Sequence, residues 1–471
     1  MKILLIHPQN ALQRFETGIY GRSLRYAPLT MPTLKALVPP ELGATVGIVD
    51  EMVGRVNWDE DADLVGITAI TGTACRAYEI ADHFRARGAK VVLGGVHPTL
   101  CTEESLAHAD AVLKGHAERT WPVLLRDFAD GRLQRLYEDP LPLDPALIVP
   151  PDRSTLHRKD YLGWCTLEMS RGCPNWCEFC ISHRFHRHHV CRPLEDVLAE
   201  ARTMKSKVLF FLDPNLTGNH EHAKAFFRAL IPLKKWWLGC ASLDVADDPE
   251  LVDLMARSGC RGLLMGFESL RSEALVASSK KKNVGRSYAD VVRLLHEHGI
   301  LVQACFVFGF DTDDVSVFEE TAEYIERARF DLPQISVYTP FPGTPVFDRL
   351  ESEGRILTRD WSRYNGQDVV FRPARMAPEE LAAGTDFVRR RAYSWRALSR
   401  RLFEKPLWVK PLVALSYLGF RYYQYRIARH APGVRAGTEA GEPLPRCSRE
   451  DDETKARRSE DHEDNQGVLP S

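Results

Sequence analysis

No apolar run in this 471-residue chain approaches the roughly 20 residues that a membrane-spanning helix needs. Charge of one sign is also lacking: 62 Lys and Arg face 64 Asp and Glu, a formal net charge of −2. That balance removes the general electrostatic reason to expect a nucleic-acid partner. No cleavable signal is expected at the start, because Lys2-Ile-Leu-Leu-Ile6 reads as a short strand and not as a leader's apolar core. The 11 cysteines are therefore expected as reduced thiols of a cytoplasmic protein, not as a disulfide framework. No repeat at a fixed period marks an array. What remains is a chain of two or three domains, with 44% hydrophobic residues to fill their cores.

A local shortage matters most. Met169-Ser-Arg-Gly-Cys-Pro-Asn-Trp-Cys-Glu-Phe-Cys180 places Cys173, Cys177 and Cys180 four and then three residues apart. That is one thiolate short of the four that hold an iron–sulfur cluster entirely. Thiolates suit iron–sulfur clusters or zinc. The apolar run Cys165 to Met169 reads as a buried strand, and Gly172 and Pro174 break it. The thiolates thus sit on a loop at a strand's carboxyl end. Spacing alone leaves three assignments open. One is a cluster with an iron free for another ligand. Another is a zinc site completed from His183, His186, His188 and His189. The last is a four-thiolate cluster completed by Cys191 or Cys165.

Along the chain, residues 1–130 alternate strands (Ile3–Ile6, Ala44–Val49, Leu64–Ile67, Val91–Leu93) with a helical pattern over Thr73–Gly88. This predicts a doubly wound, Rossmann-like parallel sheet, whose ligands bind beyond the strands' carboxyl ends. Thr68, Thr71, Gly72, Gly94, Gly95 and His97 stand there. Residues 131–163, rich in proline, read as an extended linker. From 164 to 345 six strand–helix units recur, with strands expected at Thr166–Ser170, Val208–Leu212, Trp237–Ser242, Gly262–Gly266, Val302–Phe308 and Gln334–Tyr338. They predict a partial (β/α)6 TIM-like barrel with its site at the strands' carboxyl ends. Asp213, Asn215, Ser242, Asp244, Glu268, Ser269 and Asp311 recur at those ends. Residues 346–430 form a C-terminal helical region, and 431–471, nearly devoid of large apolar residues, read as disordered.

The Cys-x-x-x-Cys-x-x-Cys spacing, with Phe179 before the last cysteine, resembles the signature of the radical S-adenosylmethionine (SAM) family. The resemblance implies a [4Fe–4S] cluster on Cys173, Cys177 and Cys180, whose open iron is chelated by SAM. Reductive SAM cleavage then yields a 5′-deoxyadenosyl radical that abstracts hydrogen from unactivated carbon. Met265-Gly-Phe-Glu-Ser269 resembles the family's fourth-strand motif and implies SAM contacts from Glu268 and Ser269; Ser242 is placed with them. Asp213 and Asn215 either contact SAM or substrate or cap the next helix. Lys280-Lys-Lys282 and the histidines of 183–189 are expected to be solvated, although relatives often carry a lysine near SAM.

Gly94-Gly-Val-His-Pro-Thr99 and Ala109-Asp-Ala-Val-Leu-Lys-Gly115 resemble the cobalamin-binding domain that precedes many radical SAM barrels. Cobalamin's nucleotide tail would then pass Gly94 and Gly95, with the loop after Thr68 facing the corrin. The chain departs from the family in two ways. Asp-x-His-x-x-Gly is absent, and Gly115-His-Ala-Glu118 stands where relatives have Gly-Glu-x-Glu. His97 is either a cobalt ligand or a loop histidine hydrogen-bonded to backbone.

Taken together, the resemblance implies a cobalamin-dependent radical SAM enzyme methylating an unactivated carbon of a hydrophobic or natural-product substrate. An external donor such as flavodoxin or ferredoxin would supply the electron. Two other readings stay open: a radical SAM cyclase or rearrangement enzyme without methyl transfer, and a non-catalytic iron–sulfur or zinc protein. Leu407–Arg426 mixes aromatics, aliphatics and arginines, which suits either a membrane interface or packing on the barrel. The first option places the protein peripherally on the membrane's inner face and points to a lipid-like substrate.

Overall fold

The computed structural model describes residues 1–9 and 26–403, together with 414–415, 417–419 and 421–422. Most of Leu407–Arg426 and all of 431–471 lie outside the described residues.

Short runs without polar alternation, such as Ile3–Ile6 and Val91–Leu93, suit strands covered on both faces. They form one parallel sheet. Its strands are β1 (Lys2–His7), β2 (Thr45–Asp50), β3 (Leu64–Thr68), β4 (Lys90–Gly94), β5 (Ala111–Lys114) and β6 (Leu136–Glu138). Their order is β2-β1-β3-β4-β5-β6. The chain switches direction between β1 and β3, which opens a crevice at the carboxyl ends there. The helix Ala74–Ala86 crosses from β3 to β4 and ends before Gly88, whose φ of 94° suits glycine. β6 lies inside the stretch expected to be linker. It pairs Leu136 with Val112 and buries Tyr137, whose hydroxyl donates to Asp127 at 3.0 Å.

The second sheet follows. Its strands are β7 (Thr166–Leu167), β10 (Val208–Phe211), β11 (Trp236–Ala241), β12 (Cys260–Glu268), β13 (Leu301–Phe308) and β14 (Leu332–Val337). They run parallel in consecutive order, as a partial barrel requires. The expected first strand is broken. After β7 the chain leaves the sheet and forms a two-stranded antiparallel ribbon, β8 (Ser170–Arg171) with β9 (Val190–Cys191). The three cysteines lie on the excursion between them.

Burial alternates along the barrel strands. Leu209, Phe211, Trp237, Met265, Phe267, Ala304, Phe306 and Ile335 are buried in the outer layer, where Phe227 stacks on Trp237 and Tyr288 meets Phe267 edge-on. Phe210, Leu238, Cys240, Gln303, Cys305, Gln334 and Ser336, on the opposite face, are only partly buried. The helix Pro378–Ala392 closes the β14 side, where Arg389 donates to the Ile335 carbonyl and Tyr393 to the Pro333 carbonyl at 2.7 Å.

The two sheets are joined directly. Ala27 donates to the Gly163 carbonyl at 2.9 Å and accepts from the Thr166 hydroxyl at 3.0 Å. Arg171 of β8 pairs with Glu118 of the first domain, and Arg187 with Glu138 at 3.1 Å.

Candidate active site

The loop holding the cysteines is anchored before and within its turn. At its root, Asp213, from the end of β10, is fully buried and accepts from Met169 N at 3.1 Å, Ser170 N at 2.5 Å and Ser170 Oγ at 2.7 Å. Burial, against these hydrogen bonds, pushes its carboxyl up to about 7. Asp213 thus neither caps a helix nor faces a cofactor; it clamps the break between β7 and β8. Within the loop, Asn175 donates to Ser242 Oγ at 2.9 Å, and Asn215 donates to the same oxygen at 2.8 Å. Asn215 also accepts from Thr217 Oγ1 at 3.1 Å, so Asn215 and Ser242 brace the loop across two strand ends. Glu178 N donates to the Ser278 carbonyl at 3.1 Å, which ties the loop to the far side.

Cys173, Cys177 and Cys180 are free thiols gathered on this loop. Burial pushes Cys177 up to about 11, while the nearby Lys280 ammonium favours its thiolate and Cys180, Glu268 and Cys173 oppose it. Ser182 N donates to Cys180 Sγ at 3.4 Å. Among the described residues no three His, Cys, Asp or Glu side chains converge on a single metal ion. A cubane cluster needs no such convergence, because each thiolate binds a different iron. Three soft donors beside one buried ammonium fit it.

Across the loop, the end of β12 is built around a glycine. The β12–β13 register shifts between Gly266 and Glu268, and Glu268 adopts a left-handed φ of 65°. Its carboxylate folds back over Gly266, where a side chain would collide with it. There it meets Lys280 Nζ at 2.8 Å. Burial opposes the ammonium, but Glu268 and Cys177 outweigh it and hold Lys280 above the ordinary lysine value. Lys280, with 16% of its side chain exposed, is therefore a largely covered partner of the site and not part of a solvated loop. Ser269 caps the next turn, accepting from Arg271 N at 3.1 Å.

Of the histidine run, His188 is exposed as expected, but the others turn inward. His183 is buried, and Nδ1 of His183, Nδ1 of His186 and Nε2 of His189 are buried without partners. Burial, with His116 and Arg171 beside it, pushes His186 down to about 3.

In the first domain, Gly95 has a φ of 94°, and a β-carbon there would lie 2.6 Å from Thr68 Oγ1. Gly94 is less constrained; its nearest neighbour would be Leu113 O at 3.7 Å. Thr68, Gly94 and Gly95 thus share the carboxyl ends of β3 and β4, where the bare Gly95 lets the turn pack against Thr68 and Ala69. His97 differs from the expectation. It is 0% exposed, with Nε2 3.1 Å from Tyr78 Oη and Nδ1 3.4 Å from Thr71 Oγ1, so both ring nitrogens are engaged by side chains and not by backbone.

Comparison with known proteins agrees with this arrangement. Residues 167–342 match the radical SAM superfamily and residues 42–125 the B12 binding domain. The chain is 33% identical over 355 residues to the bacteriochlorophyllide d C-12(1)-methyltransferase of Chlorobaculum tepidum, covering 73% of this chain and 77% of that one. It is 30% identical over 412 residues to the C-8(2)-methyltransferase of the same organism, covering 82% and 89%. Among solved structures, the radical SAM methyltransferase TsrM of Kitasatospora setae, with cobalamin and a [4Fe–4S] cluster bound, shares the fold at a TM-score of 0.61 and 18% identity, covering 75% of each chain. The chain belongs to the radical SAM enzymes that carry an amino-terminal cobalamin-binding domain, and among them to the C-methyltransferases. Its cofactors are a [4Fe–4S] cluster, SAM and cobalamin.

Proposed function

We propose that this enzyme methylates an alkyl carbon of a hydrophobic macrocycle, a tetrapyrrole of the bacteriochlorophyllide kind. The observation that carries the proposal is the likeness across both domains to two enzymes named for that substrate. When bound, the three cofactors supply a low-potential electron, a carbon-centred radical and a methyl group.

The chain's own residues have separate tasks. Cys173, Cys177 and Cys180 would hold the cluster by three thiolates, one fewer than hold such a cluster entirely. Glu268, fixed by Lys280, offers a charged acceptor to the ribose or amino group of SAM. Asp213, Asn215, Ser242 and Asn175 hold the loop in register with the barrel. Thr68, Gly94 and Gly95 would line the strand ends past which the tail of cobalamin runs. The partly buried inward faces of β10, β11, β13 and β14 leave room for a substrate.

An external donor such as flavodoxin or ferredoxin supplies the electron, and the enzyme works in the cytoplasm against the inner face of the membrane. The exposed Trp395, Leu415 and Leu418 support membrane contact. No helix among the described residues is long and apolar enough to cross a bilayer.

The test is incubation of anaerobically reconstituted enzyme with bacteriochlorophyllide d, a reductant and methyl-labelled SAM. Label in the tetrapyrrole supports the proposal. Ring closure or 5′-deoxyadenosine without methyl transfer would favour the cyclase reading.

A further inference from the structure

The short helix Val96–Leu100 leaves directly from Gly95, so its position sets that of the turn that meets cobalamin. Three parts of the barrel domain press on it. Gly343, after β14, has a φ of 78°, and a β-carbon there would lie 3.0 Å from Leu100 Cδ2. The helix Ser182–His186, from the cysteine excursion, lies alongside it. On its third side, Trp361 sits with its ring 5.4 Å from His97 and donates Nε1–H to Glu104 Oε1 at 2.7 Å. Glu104 Oε1 in turn lies 3.7 Å from His97 Nε2, and Tyr78 Oη is shared between His97 and, at 3.2 Å, Ser105.

We propose that Trp361, Glu104 and His97 form a latch by which the segment after the barrel fixes the cobalamin-binding turn relative to the cysteine loop. These are positioning residues. His97 and Trp361 are buried among protein groups, and a methyl group must pass between a donor bound in one domain and an acceptor bound in the other. Small misplacement of such partners is costly to rate without being costly to binding. A lone buried histidine–tyrosine contact would serve stability as well; the indole bond across 257 residues is what ties it to the other domain. The inference rests on cobalamin binding by the first domain, and its first readout does not depend on that.

Trp361→Phe keeps an aromatic ring but removes the N–H donor together with part of the indole's bulk, so the effect it shares with the second variant is the one that reports the hydrogen bond. Glu104→Ala removes the shared acceptor and leaves the ring untouched. In full-length protein without cobalamin, both variants should speed amide hydrogen exchange over residues 95–105 while leaving β12 and β13 protected. With cobalamin, both should retain the bound cofactor and reductive SAM cleavage. Methyl transfer from labelled SAM to cobalamin should fall roughly ten- to a hundred-fold. Glu104→Gln, which still accepts from the indole, should restore most of it. Unchanged exchange, or unchanged methyl transfer, would overturn the latch. Loss of bound cobalamin in step with transfer would overturn it too, because the network would then be part of the binding site or of the domain's folding.

Discussion

The two six-stranded parallel sheets of this enzyme treat their faces differently. In the first, β1, β3, β4 and β5 run through unbroken buried stretches, since helices cover both faces. In the second, buried and partly buried residues alternate along β10, β13 and β14, because helices cover one face and the inward face is left partly open. The same strand–helix unit therefore yields a packed slab with a binding edge in one case and a lined chamber in the other. A slab can present ligand only beyond its strand ends. A chamber can present side chains from the middle of each strand as well.

The difference can be broken most severely at the cysteine loop. Ala at Cys173, Cys177 or Cys180 should abolish the cluster's visible absorbance and all SAM cleavage, while circular dichroism shows an intact barrel. Cys165→Ala and Cys191→Ala should retain both properties. Loss of the cluster in Cys191→Ala would instead indicate a four-thiolate site.

The two faces of the barrel should then separate in stability. Phe306→Ala, in the outer layer against Phe267 and Phe330, should cost about 3–5 kcal/mol in chemical denaturation. Gln303→Ala, on the inner face and bonded to Gln334, should cost only about 1 kcal/mol. At the chamber's mouth, Lys280→Met leaves the Glu268 carboxylate buried and unpaired, and should cost about 3 kcal/mol, with Glu268→Gln restoring much of it.

The slab's edge offers a finer contrast. Gly95→Ala should lower stability by about 1–3 kcal/mol, through its left-handed φ and its clash with Thr68, and reduce bound cobalamin. Gly94→Ala should leave the fold intact and weaken cobalamin binding only, measured by cobalamin content after gel filtration.

The smallest effect concerns Asp213. Its carboxyl is raised from 3.8 to about 7, so the folded protein binds the extra proton between those values. Stability therefore falls as pH rises through that window. Asp213→Asn should flatten this part of the wild-type pH profile of the denaturation midpoint. An unchanged slope would mean that the hydrogen bonds from Met169 and Ser170 keep the carboxylate charged.

Much of this was legible in the chain because it is written locally. Three thiols on one loop, glycine pairs at strand ends, and apolar or alternating runs need no distant partner to be recognised. The fold class and five of the six barrel strands follow from such signals, and the first follows as far as its break after Leu167. Lys280, read as solvated, was not legible, since its burial depends on a fold-back of Glu268 across Gly266. Nor was the bracing role of Asn175, whose acceptor lies 67 residues away. The surroundings of His97 were hidden for the same reason: Tyr78 and Thr71 reach it from 19 and 26 residues away within the first domain, and Trp361 reaches it only from beyond the barrel. β6 hid inside a proline-rich stretch because three residues are too few to show a period.

The bracing of the cysteine loop has a consequence for how the enzyme is assembled. Asp213 at its root, Ser242 through Asn175, and Ser278 through Glu178 hold the loop with protein groups alone. Ordering a backbone costs roughly 1–2 kcal/mol per residue, and here much of that cost is met when the polypeptide folds. Metal-dependent folding of the zinc-finger kind is thereby avoided. Stripping the iron should leave a native-like vessel that can be refilled, and cluster delivery becomes a maturation step that follows folding.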